Sequence, residues 1–329
     1  MNTRRMFVIA LGTGAFAPLA SFGQQPGKVW RIGFLSQRHV DFVDADYYYG
    51  PFTQGMRELG YVEGKNLTIE WRSAEGKAER LPELAAELVR LRVDILVAGG
   101  TPASLAAQKA TATLPIVMIS VGDAIGSGLV KNLARPGGNS TGFSIMSTDI
   151  GPKLLEMLRA MAPKVSRVAV LVNPDNPINA LVLGSVQSAA QSIGVKIQPA
   201  EANTPQGIAS AFDAMARQKA GALIVPLEPL FQQQKMQIIE LAVKHRLPSI
   251  GGYAEFAEIG GLLSYGNNIR ENYRRAPTYV DKIFKGAKPG DLPIEQPTTF
   301  ELALNLKAAK SLGIKVPQTI LIQATKVIE

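Results

Sequence analysis

The strongest constraint on this chain's fold is an alternation that runs through it twice: short apolar runs separated by stretches of helical spacing. In the first round, residues 31–36, 67–71, 94–98 and 116–121 read as strands. Continuous apolar runs of this kind suit strands buried on both faces, as in parallel sheets. Between the second and third runs, Leu81, Leu84, Leu88 and Leu91 recur at helical spacing and form one stripe. The pattern restarts near Ile145. A helix over 153–162 places Leu154, Leu155, Leu158 and Met161 on one side, and strands follow at 167–172, 195–199, 222–225 and 249–250. Thr204-Pro205 reads as an N-cap with proline in the first turn, opening a helix whose buried face holds Ile208, Phe212 and Met215. Such repetition defines an α/β fold with parallel sheets. Made twice over in 329 residues, it predicts two Rossmann-like lobes, each with its own core.

Residues 1–23 read as a targeting segment. Arg4 and Arg5 precede a short apolar run over 7–17, and Ser21-Phe22-Gly23 supplies small residues where a signal peptidase cuts. Thr3-Arg4-Arg5-Met6-Phe7-Val8 fits the twin-arginine pattern. A periplasmic protein starting at Gln24 is the expectation. Removing the two arginines lowers the formal charge by two from +8, and the remaining Lys and Arg are scattered. Nucleic-acid binders gather charge on one face or arm, so no nucleic-acid partner is expected. With no cysteine, disulfides and thiolate chemistry are excluded.

Enzyme motifs are poor. Gly12-Thr13-Gly14-Ala15-Phe16-Ala17 matches a dinucleotide fingerprint but has no strand before it and lies in the targeting segment. Gly60 to Lys65 has one residue too few between its glycines for a phosphate loop. His39 and His245 are the only histidines, and neither has an evident catalytic partner. No metal, cofactor or catalytic residue is expected.

In open parallel sheets a ligand sits beyond the carboxyl ends of the strands, which selects a set of loops. The loop from Ser36 to Arg38 is the first. Gly100, Thr101 and Ser104 open a helix after the third strand, where free N–H groups suit a carboxylate; an ordinary strand-to-helix turn would use the same residues. Asp123 follows the fourth strand, with Gly126-Ser127-Gly128 starting the next helix, so it either receives an ammonium or caps that helix. Asn173 and Glu228 hold matching places in the second round, and Tyr253 and Tyr265 end later strands. Tyr47, Tyr48 and Tyr49 begin the first helix; Tyr47 and Tyr49 are candidates to wall a ligand, and at least one of the three should be packing.

Longer segments carry a resemblance. Gly55-Met56-Arg57-Glu58-Leu59-Gly60-Tyr61-Val62-Glu63-Gly64-Lys65-Asn66-Leu67, Leu133-Ala134-Arg135-Pro136-Gly137-Gly138-Asn139, Gly261-Leu262-Leu263-Ser264-Tyr265-Gly266 and Leu292-Pro293-Ile294-Glu295-Gln296-Pro297 occur in order. With these the chain resembles the bacterial ABC-transporter substrate-binding proteins of the tryptophan/tyrosine type, which have a type I periplasmic-binding-protein fold. The resemblance implies two lobes joined by a three-crossover hinge, residues 28–144 plus about 267–297 in one and 145–266 plus about 298–329 in the other. It implies a monomeric periplasmic receptor for an amino acid or related small carboxylate, aromatic ones included, with an ABC permease and ATPase as partners. A ligand-sensing subunit of a membrane signalling protein, or a Rossmann-type enzyme, are the rival functions. Pro277 departs from the family pattern and should kink or end the helix over 269–285.

The targeting reading has a direct check. N-terminal sequencing of the exported protein should start at Gln24, and replacing Arg4 and Arg5 by Lys should stop export by the twin-arginine route. An intact Met1 on the soluble protein would refute it.

Overall fold

The computed structural model describes residues 28–38 and 45–329. The expected targeting segment and His39 lie outside the described residues. The first round of the alternation forms β1 (Trp30–Ser36), α1 (Ala45–Glu58), β2 (Leu67–Ser73), α2 (Leu81–Arg90), β3 (Ile95–Gly99), α3 (Thr101–Ala110), β4 (Ile116–Val121) and β5 (Ser140–Ser144). The second forms α4 (Ser147–Met161), β6 (Arg167–Val172), α5 (Pro177–Ser192), β7 (Lys196–Glu201), α6 (Pro205–Arg217), β8 (Ala222–Val225), α7 (Pro229–Gln233), α8 (Lys235–Lys244), β9 (Ser249–Gly251), α9 (Glu255–Glu258) and β10 (Leu263–Gly266). The tail supplies α10 (Ile269–Phe284), β11 (Ile294–Glu295), β12 (Glu301–Asn305), α11 (Leu306–Leu312), α12 (Gln318–Gln323) and β13 (Lys326–Ile328).

Among the described residues the strands form two sheets, ordered β11-β5-β4-β3-β1-β2 and β13-β12-β10-β9-β8-β6-β7. All pairings are parallel except β10 with β12. Each sheet is buried on both faces. Phe34, Phe52, Val97 and Tyr279 fill one side of the first, and Leu35, Leu88, Leu96 and Met118 the other. Leu154, Leu158, Val170 and Val182 fill one side of the second, and Phe212, Leu223, Phe231 and Ile238 the other. The chain passes between sheets after β5, after β10 and after β11.

Two expectations are corrected. Residues 124–139 form turns, not a helix; Gly128, Gly137 and Gly138 take positive φ there, which breaks helical continuity. Pro277 does not end its helix, since α10 runs on to Phe284. Its ring is buried against α1 at Gly55, where an added Cβ would come within 2.8 Å of it. Tight packing of α10 on α1 offsets the hydrogen bond that proline forfeits. Thr204 caps α6 as its sequence suggests, accepting the Gly207 N–H at 3.0 Å.

The way out of the first lobe runs along β4 and β5, and there the backbones approach closely. Gly142 has φ +133°, and a Cβ on it would lie 2.0 Å from the Met118 carbonyl oxygen. Gly142→Ala should cost about 2–5 kcal/mol of stability through backbone strain and overpacking. Gly184→Ala, in α5 with no atom within 4 Å of the new Cβ, should be neutral or gain about 0.5–1 kcal/mol. Urea denaturation of both variants checks the contrast.

Candidate functional site

The carboxyl ends of the two sheets face each other across a cleft. From the first lobe Arg38, Gly100, Thr101, Ser120, Gly122 and Ile145 line it, and from the second Asn176, Ile178, Leu227, Pro229 and Gln232. Ile269 and Tyr273 of α10 close the back. The space between them is only about 20 Å³, so the lobes are closed on one another. The first turns of α3, α5, α7 and α10 all begin at this cleft, and their N-terminal N–H groups make it electropositive.

Arg38 crosses the cleft. Its guanidinium donates to the Tyr273 hydroxyl at 3.2 Å and to the Gln232 side-chain carbonyl, and it lies 4.5 Å from the centre of the Tyr48 ring. Gln232 in turn donates to the Tyr48 hydroxyl at 3.3 Å. Arg38, Tyr48, Gln232 and Tyr273 are all buried. Among the described residues no carboxylate lies within ion-pair distance of Arg38, and its Nε has no hydrogen-bond partner. Behind it, Tyr49 packs against Phe34, Trp71 and Tyr273. Burial pushes the Tyr49 phenol up to about 12, with Tyr273 adding and Arg38 and the Ser36 hydrogen bond opposing.

The candidate residues divide by what their side chains already do. Gly100, with φ +85°, and Thr101 line the cleft, and the Thr101 hydroxyl accepts the Gly122 N–H at 2.9 Å. Ser104 is fully buried and donates to the Gly100 carbonyl at 2.8 Å, a bond within α3. Ser36 accepts from the Tyr49 hydroxyl at 2.7 Å, beneath the site. Asp123 accepts the Ile125 and Gly126 N–H groups and the Thr148 hydroxyl; its carboxylate caps a turn. Tyr253 is buried, its hydroxyl unpartnered, against Phe256. Tyr265 stacks on Phe300 within the second lobe. The side chain of Tyr47 lies outside the described residues. Arg38 stands in the first loop selected from sequence, whereas Gln232, Tyr273 and Ser120 had no local signal. Beside the closed seam a polar opening of about 600 Å³, lined by Gln37, Glu75, Glu79, Asn173, Asp175 and Gln233 among others, leads to solvent.

Two α/β lobes closed over a cationic, aromatic-backed cleft define a ligand-capturing receptor. Residues 41–328 match the family described as ABC transporter substrate binding protein, and the chain belongs to that family. A tyrosine-binding protein from Clostridioides difficile strain R20291 is 25% identical over 265 residues, covering 80% of this chain and 76% of that one. A conserved domain protein from Vibrio cholerae is similar in structure, with TM-score 0.85, 27% identity, and 91% of this chain and all of that one covered. The ABC domain of a Streptococcus pneumoniae protein in complex with L-Trp has TM-score 0.79 at 27% identity, covering 90% of this chain and all of that one. Among the described residues no helix is long and apolar enough to cross a membrane.

Glu228 supports the second lobe's side of the cleft. It is fully buried, accepts from the Asn173 amide at 2.8 Å and caps α7 through the Phe231 N–H at 3.0 Å. Burial raises its pKa, although the hydrogen bonds from Asn173, Phe231 and Leu230 and the charge of Arg38 oppose the rise. A raised carboxyl contributes stability below its ordinary value of 4.5 and loses it as pH rises through the folded-state value. Glu228→Gln removes the titration. The stability advantage of wild type over this variant should therefore shrink from pH 4 to pH 7 in urea denaturation; a gap that widens with pH would reverse the assignment.

Proposed function

We propose that this chain captures an amino acid, preferentially an aromatic one, between its lobes and delivers it unchanged from the periplasm to an ABC permease and its ATPase. The single observation that carries the reading is Arg38: a buried guanidinium whose partners among the described residues are neutral, lining the cleft together with the start of α3. An arginine cannot shed its charge, and a ligand carboxylate is the group that would complete it. Tyr48 and Tyr273 beside it suit an aromatic side chain. Similarity to a tyrosine-binding protein and to a domain in complex with L-Trp supports the same ligand class.

In this reading the ligand carboxylate takes the place that the Gln232 carbonyl holds on Arg38. Contact with both lobes then favours closure, since only a ligand that binds the closed arrangement better can shift the balance toward it. Gly100 and Thr101 assist through the N-terminus of α3.

Thermal melting with L-tyrosine, L-tryptophan, L-phenylalanine, sugars and nucleosides tests the ligand class. At about 100 times the dissociation constant the ligand adds about 2.7 kcal/mol, enough to raise the melting temperature by several degrees. Arg38→Met should weaken amino-acid binding at least about tenfold, since a charged hydrogen bond of about 1.5–3 kcal/mol is lost. A shift with sugars or nucleosides but no amino acid would overturn the ligand. Mass spectrometry showing chemical change of the bound compound would overturn the receptor.

A further inference from the structure

The β4–β5 pair holds one feature that neither the fold nor the closed contacts of the cleft explain. Met118 pairs with Gly142 and Val121 with Ser144, so β4 uses three steps where β5 uses two. The extra residue makes a bulge, and within it Ser120 has φ +57°. A bulge needing the left-handed region ordinarily takes glycine, which reaches it without a Cβ penalty. Serine there is strained, and strained residues of this kind cluster at binding and active sites.

The side chain in question lines the cleft. The buried Asn272 amide on α10 donates to the Ser120 oxygen at 3.1 Å. That bond satisfies the hydroxyl as an acceptor and leaves its hydrogen to donate. Thr101 is in the same state, its oxygen occupied by the Gly122 N–H. With Arg38, whose Nε has no partner, these groups make a set of donors on one cleft wall.

We infer that Ser120 is a further ligand-binding residue that donates its hydroxyl hydrogen to the ligand carboxylate, and that the β4 bulge exists to aim it. The inference rests on the amino-acid reading above. It also assigns Asn272 a positioning role: by filling the acceptor side of the hydroxyl, it turns the donor side toward the ligand.

Calorimetric titration of wild type, Ser120→Gly and Ser120→Ala with L-tyrosine and L-tryptophan, together with ligand-free melting curves, tests this. Both variants should bind the amino acids about tenfold more weakly. Ser120→Gly should nonetheless melt above Ser120→Ala by roughly 2 °C or more, because glycine relieves the positive φ and both lose the same hydroxyl. Weaker binding by the more stable variant cannot be ascribed to unfolding. Unchanged affinity in both variants overturns the role of Ser120 while leaving the receptor reading intact. A glycine variant no more stable than the alanine variant overturns the strained bulge. Wild type that binds neither amino acid removes the reading on which the inference stands, and that result is read before any variant is made.

Discussion

A guanidinium buried between two lobes, with no acid within ion-pair distance among the described residues, is the constraint around which the cleft is organised. Taking a charge from water costs several kcal/mol unless hydrogen bonds and an opposite charge make up the loss. Arg38 recovers part of this from the Tyr273 hydroxyl, the Gln232 carbonyl and the face of Tyr48. All of those are neutral. Gln232 belongs to α7 of the second lobe and Tyr48 to α1 of the first, so the groups that solvate Arg38 also tie the lobes together. In this arrangement those contacts bury the charge at the meeting of the lobes.

The energetics of the lobes and of the seam are separate. Each sheet is sealed by apolar side chains on both faces, so each lobe carries its own core. The seam combines polar contacts and helix ends, which are weaker and can exchange partners, with apolar contacts such as Leu227, which packs against the cores of both lobes. Two left-handed residues, Ser120 in β4 and Met146 after β5, flank the strand from which the chain first crosses between lobes. Glu228 extends this economy beneath the surface, using one carboxylate both to cap α7 and to hold Asn173.

Legibility from sequence followed the range of the interaction. The runs over 31–36 and 116–121 are strands because burial on both faces selects uninterrupted apolar residues, and β1 and β4 lie there. After Asp123, Gly126-Ser127-Gly128 suits a helix start and a chain of turns alike, and the Asp123 carboxylate would cap either; the positive φ at Gly128 separates the two. That α10 runs on past Pro277 goes with its packing against Gly55, more than two hundred residues earlier. At the cleft, Gly100 and Thr101 were accessible through the rule that ligands sit beyond strand ends, whereas Ser104 obeys the same rule and is spent inside its own helix.

What the sequence by itself determined is the periodic part: two α/β lobes, the strand ends where loops gather, and a family likeness spread along the chain. Those follow from local hydrophobic patterning, which a linear string records in full. What only the tertiary structure decided is which loop residues meet. Arg38, Gln232 and Tyr273 lie in three separate stretches and come together only when the chain has crossed between lobes and α10 has returned to the first sheet. Their chemistry depends on mutual burial and on hydrogen bonds a few ångströms long. No spacing in a sequence encodes such a meeting, because it is set by the packing of two independently folded cores.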